Sequence, residues 1–236
     1  MPDNFPAVEP HGSLQPIFDD AWFVTGSVVF KPLVRLARNM VVLRHDGELT
    51  LINAVRLDAA GLAALDALGK VAHVIRVGIH GMDDGFYVDH YGAKYWSVAG
   101  KERADGLTPD HILAVDSPLP VPNARIFLFE LTNSPEAALL VERDGGLLVT
   151  CDSVQHWAPS DLMSFPAKLI TRFMGFMQPA QIGPPWRKAQ TPASGTLKPD
   201  FERLADLPFT RLIGGHGGLL DNDAPARLRE SIAREL

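Results

Sequence analysis

Two apolar runs, residues 40–43 and 49–55, flank Asp46-Gly47, a dipeptide that favours the tight turn of a β-hairpin. Behind them Leu62, Leu65 and Leu68 recur at helical spacing, with Asp58 placed to cap the helix and Gly69 to stop it. The stretch "AHVIRVGI", 72–79, is a β-branched run of buried-strand length, and "AKYWSVAG", 93–100, reads as another strand. The weaker alternation of "AWFVTGSVVF", 21–30, predicts an early strand. The second half repeats the style. "ARIFLFEL", 124–131, is a strand, and "EAALLVERDGGLLVTCD", 136–152, is a hairpin turning at Asp144-Gly145-Gly146. A helical region rich in Met and Phe covers 161–177, and a loop rich in Pro and Gly covers about 178–199. Then come a short helix at 200–208, a strand at 210–215 and a terminal helix from Asp223, its expected cap. Mixed strands with helices spread between them, in two similar halves, predict layered α/β: two mixed sheets face to face with helices outside, a four-layer αββα sandwich. Residues 1–20 read as an irregular arm, and 21–236 as one domain.

Composition narrows the function classes. The chain has 236 residues, 46% hydrophobic and 21% charged, ordinary for a globular protein with a large core. A formal charge of −6 gives no basic surface for nucleic acid, so no nucleic-acid partner is expected. No apolar run approaches the roughly 20 residues of a membrane span, and no membrane partner is expected. The polar, proline-rich start "MPDNFPAVEPHGSLQP" does not read as a signal peptide. The one cysteine, Cys151, excludes an intramolecular disulfide and a multi-cysteine zinc site, and fits a reducing compartment. A cytoplasmic protein with a small-molecule substrate is the expectation.

Three stretches place acids and histidines directly after an apolar strand, where α/β folds collect ligands. They are "VIRVGIHGMDDG" with His80 and Asp84, "LLVTCDSVQH" with Asp152 and His156, and "RLIGGHGG" with His216 among four glycines. Imidazole and carboxylate are the usual ligands of zinc-like and iron-like ions. Each residue also has a plainer role open to it. His80 can end a strand, Asp84 can cap the turn after it, Asp152 can open a turn, and His156 can lie on the surface. Asp89 and His90, in "DHYGA", offer a shifted alternative to the first group. The Met/Phe-rich stretch 161–177 reads as helical core or cover; it could instead line an apolar pocket or a partner surface.

In this order the three stretches resemble the metallo-β-lactamase fold superfamily, over about residues 22–235. The signature H-x-H-x-D-H falls on His80, Met82, Asp84 and Gly85; the middle histidine falls on Asn133 in "LTNSPEAA"; the bridging aspartate is Asp152, and the last histidine is His216. The resemblance implies the αββα sandwich and a metal-dependent hydrolase, with the departures at Met82, Gly85 and Asn133 removing ligands. One divalent ion, zinc-like or iron-like, is what the remaining set allows: Asp84, Asp152 and His216 around it, His80 beside it, with His156 and Asn133 as weaker candidates. Asp84 or Asp152 would then accept the proton of the attacking water. The other reading left open is a metal-free, non-catalytic relative that keeps the pocket as a small-molecule binding site.

Overall fold

The computed structural model describes residues 5–100, 106–193 and 195–236. The chain opens as an antiparallel meander of β1 (Gln15–Phe18), β2 (Ala21–Lys31), β3 (Val34–His45) and β4 (Glu48–Ile52). Helix α1 (Ala59–Asp66) leads to β5 (Lys70–Arg76), and α2 (Asp84–Tyr91) leads to β6 (Lys94–Ser97) and β7 (His111–Ile112). The second half contains β8 (Ala124–Leu128), β9 (Ala137–Val141), β10 (Leu147–Val149), β11 (Val154–Gln155), α3 (Phe165–Phe173), β12 (Gln181–Ile182), α4 (Pro184–Gln190), α5 (Lys198–Ala205), β13 (Arg211–Ile213), β14 (Leu219–Leu220) and α6 (Ala224–Glu235).

Among the described residues β1 to β7 form one sheet in sequence order, antiparallel up to β4 and parallel from β4 onward. The other large sheet has the order β14-β13-β10-β9-β8, with β10 and β13 parallel. Both sheets are mixed, and alternation along their strands builds the layers. Val41 and Leu43 of β3 join Leu139 and Val141 of β9 and Leu147 and Val149 of β10 in one core between the sheets. Met40 and Val42, on the opposite face of β3, pack with Leu65 of α1 and with Phe86 and Tyr87 of α2. Leu140 and Leu148 face Trp186 of α4, Phe201 of α5 and Leu228 of α6. The result is the αββα sandwich that the sequence predicts. None of the helices among the described residues is long and apolar enough to cross a membrane.

Local chemistry explains the turns. Asp46 and Gly47 both have positive φ, 48° and 79°, as the two-residue hairpin turn requires. Asp58 caps α1 by accepting from the Gly61 amide at 2.8 Å. Four details differ from the sequence reading. Gln15–Phe18, inside the stretch read as irregular, pairs with β2 as a strand. The α1 cap at the C-terminal end is Ala67, two residues before Gly69. The stretch 178–199 is not one loop, because Pro184 and Pro185 begin α4, where a missing N–H costs nothing. Asp223 sits at the start of α6 in the left-handed conformation, φ 60°, and makes no side-chain cap bond.

Candidate metal centre

The two sheets are tied together at the edge where β4, β5, β10 and β13 end. The Ala137 amide donates to the Val77 carbonyl at 2.9 Å, and the Asn53 side chain donates to the Thr150 carbonyl at 3.0 Å. His80 lies on the loop after β5, Asp152 follows β10 and His216 follows β13. Because β10 and β13 are parallel neighbours, Asp152 and His216 emerge side by side. His80 arrives from the other sheet.

The three meet. His80 Nε2 lies 3.2 Å from Asp152 Oδ2, and His216 Nε2 lies 3.3 Å from Asp152 Oδ1. The imidazoles pack edge to face with centroids 4.6 Å apart. Asp152 and His216 are buried, His80 nearly so. Burial by itself would raise the Asp152 carboxyl, but the His80 and His216 rings outweigh it and hold the group well below the usual carboxylate range.

The surroundings fix each member. His216 Nδ1 donates to the Ala37 carbonyl at 2.6 Å, so its Nε2 is the atom left for Asp152 or a cation. Trp157 stacks on the His216 ring at 4.9 Å. Gln155 donates to Asp152 Oδ1 at 2.8 Å and accepts from the Trp157 indole. Asn39 clamps the glycine loop: its amide group donates to the carbonyls of Gly214 and Gly217, both at 3.0 Å. Gly217 has φ 88°, and a Cβ there would stand 2.0 Å from the His156 carbonyl oxygen, so only glycine fits where the loop crosses β11. At Gly215 a Cβ would press on His80 Nδ1 at 2.9 Å. The glycines around His216 were legible in the sequence; Ala37, Asn39, Gln155 and Trp157 escaped the sequence reading. The available signal was two polar residues, Arg38 and Asn39, in the middle of the apolar run of β3.

The other candidates are placed differently. Asp84 is fully buried at the start of α2, and the contacts that join the trio run from Asp152 to His80 and His216. A Cβ on Gly81 would be 2.6 Å from Asp84 Oδ2 and 2.8 Å from Arg76 Nε, so carboxylate and guanidinium border the same point behind the loop. Asp83 beside it forms a buried ion pair with Arg38 and accepts from the Arg56 amide at 2.7 Å. Burial draws Arg38 down to about 10, against the pull of Asp84, and it remains a cation at neutral pH. The doublet Asp83-Asp84 thus meets arginines from β3 and β5. Asn133 donates its side-chain amide to the carbonyls of Ala189 and Thr191, both at 2.9 Å, which ties it to the end of α4. His156 has a buried Nδ1 with no hydrogen-bond partner, and burial lowers its pKa. Asp89 is exposed, and His90 stacks on Phe86 within α2.

The Asp152 carboxylate stands at ligand spacing from both imidazoles. Two donors sharing a tetrahedral ion at bonds near 2 Å stand about 3.3 Å apart, which is the spacing from Asp152 to each imidazole. His80 turns Nε2 to Asp152, while its Nδ1 is buried and has no hydrogen-bond partner. His80, Cys151 and Asp152 also offer ligand atoms all within 4.8 Å of one another. The Cys151 thiol is pushed up well above its ordinary range, by burial first and then by the Asp152 and Glu136 carboxylates. That favours the neutral thiol, which is a poor ligand.

No family model matches the chain, and no curated protein is similar enough to match. Solved structures do match. The DIM-1 metallo-β-lactamase exposed to ceftazidime is 10% identical over 98% of this chain and 100% of that one, with a TM-score of 0.65. FIM-1 from Pseudomonas aeruginosa, a metallo-β-lactamase in its mono-zinc form, is 13% identical over 97% of both chains, with a TM-score of 0.65. The metallo-β-lactamase from Hirschia baltica is 12% identical over 95% of this chain and 98% of that one, with a TM-score of 0.65. At these identities the likeness is one of fold.

Proposed function

We propose that this chain, which has the metallo-β-lactamase fold, is a metal-dependent hydrolase with one divalent ion, zinc-like or iron-like, held by His80, Asp152 and His216. The observation that carries this reading is the Asp152 carboxylate with one oxygen turned to each imidazole Nε2, at 3.2 and 3.3 Å. A bound ion of this kind polarises a carbonyl or phosphoryl oxygen and activates water. The chain's own residues do the rest. The Ala37 carbonyl holds the His216 ring in one tautomer, and Trp157 fixes its plane. Gln155 holds Asp152 and Asn39 holds the loop that carries His216. Asp152, kept ionised by its neighbours, suits a ligand better than a base, since a strongly held carboxylate has little proton affinity. Asp84, set against Arg76, takes the part of a buried counter-charge for the loop rather than of a proton acceptor.

The test is a panel of esters, thioesters, β-lactams and phosphodiesters, offered to the metal-loaded protein and to the same protein after chelation. Hydrolysis of at least one class is expected, lost on chelation, restored by adding the ion back, and absent in His216→Ala. No divalent ion retained and no turnover of any class would favour the metal-free, non-catalytic binding reading.

A further inference from the structure

Helix α3 is amphipathic in an unusual sense. Its inner face is small, with Ala167 and Thr171 buried, and packs with Met163 and Phe176 against Trp157 and Ala37, the two residues that hold His216. Its outer face carries the large apolar side chains Phe165, Leu169, Ile170 and Phe173, with Met174 just beyond. The tip of the β2–β3 hairpin continues this surface with Val29, Phe30 and Leu33. The two segments are joined: Ser164, the cap of α3, donates to the Leu33 carbonyl at 2.8 Å and accepts from the Arg35 amide at 3.1 Å. Leu33 is 85% exposed, Phe173 82% and Phe165 77%, far beyond the single apolar residues that any surface shows.

Charge selects what covers this surface. Residues 29–36 and 160–177 contain Lys31, Arg35, Lys168 and Arg172 against one carboxylate, Asp161, in a chain whose formal charge is −6. Lys31 lies over the Phe30 ring, and Lys168 reaches only the fully exposed Asp161, at 3.6 Å, a pair that solvent screens. Large apolar side chains interleaved with cations on a projecting helix and hairpin are the pattern of a surface that enters the headgroup region of an anionic bilayer. A second copy would bring the same four cations against one another across a two-fold axis, which opposes association.

We infer that α3 and the β2–β3 tip dock this protein on an anionic lipid surface, with the His80–Asp152–His216 centre directly behind the docking face. The expectation of no membrane partner rested on span length, which does not measure a peripheral face. The inference does not depend on any ion being bound. Full-length protein is sedimented with vesicles of phosphatidylcholine alone and with vesicles that also contain phosphatidylglycerol. Wild type is expected to partition to the anionic vesicles and to leave them as salt rises. Phe165→Ser/Phe173→Ser and Lys168→Glu/Arg172→Glu alter exposed side chains, and each pair is expected to weaken partitioning by more than about tenfold. Wild type that stays in solution with anionic vesicles would overturn the inference. So would a dimer, seen by sedimentation without lipid, that the Phe165→Ser/Phe173→Ser variant dissolves.

Discussion

Asp152→Ala is expected to weaken binding of the divalent ion by more than about 100-fold, and His216→Ala to do nearly the same. Removing a residue that merely orients a ligand costs about 10–100-fold in affinity, so removing a ligand itself exceeds that range. Asp152 faces both imidazoles, and its loss leaves the two rings without the carboxylate between them. His80→Ala belongs with these two. Asn133→Ala is expected to leave affinity within about threefold, because its amide donors are engaged by the α4 carbonyls and a neutral amide is a weak ligand. Asp84→Asn separates the structural reading from the resemblance: it is expected to change affinity by less than about tenfold, since Asp84 stands beside Arg76 and not among the ligands. Titration of each variant with zinc reads all five. Loss of binding in Asp84→Asn with retention in His80→Ala would restore the ligand set that the motif order implies.

The largest effect on stability is expected at Arg38. Its guanidinium is buried against Asp83, with Asp84 close enough to bear on its ionisation. Arg38→Met keeps much of the stem's volume and removes the buried ion-pair partner of Asp83. Breaking a buried pair by removing one partner costs about 3–5 kcal/mol. At about 2–4 °C per kcal/mol for a chain of this size, the melting temperature should fall by about 6–20 °C. Replacing both partners, Arg38→Met with Asp83→Leu, should recover much of the loss, because the desolvation cost of the charges goes with them. A thermal melt of Arg38→Met within about 2 °C of wild type would mean that the pair contributes little.

Much of the fold was legible because its signals are local. Asp46-Gly47 and Asp144-Gly145-Gly146 all have positive φ, which few residues adopt readily, so both hairpins could be read from a few positions. His216 stood out for the same reason: glycines let the loop pass close to Cys151, His80 and the β11 backbone. The α4 helix was hidden because Pro184-Pro185 serves equally to start a helix and to fill a loop. The burial of Asp84 beside Arg76 was hidden for a different reason. His80 and Asp84 lie on one loop, and spacing shows which residues share that loop but not which of them faces in. Arg76 of β5 borders the same point at Gly81 as Asp84, and β10 and β13, far apart along the chain, bring Asp152 and His216 side by side. Asn39, 175 positions from the Gly214 carbonyl it binds, belongs to the same class of long-range contact.

The central claim is a single-ion centre made by His80, Asp152 and His216. Elemental analysis by mass spectrometry, on protein loaded with zinc or iron and then dialysed, tests it most directly. The account predicts close to one ion per chain in wild type and close to none in His216→Ala. Two ions per chain, or one that persists in His216→Ala, or none with any divalent metal tried, would contradict it.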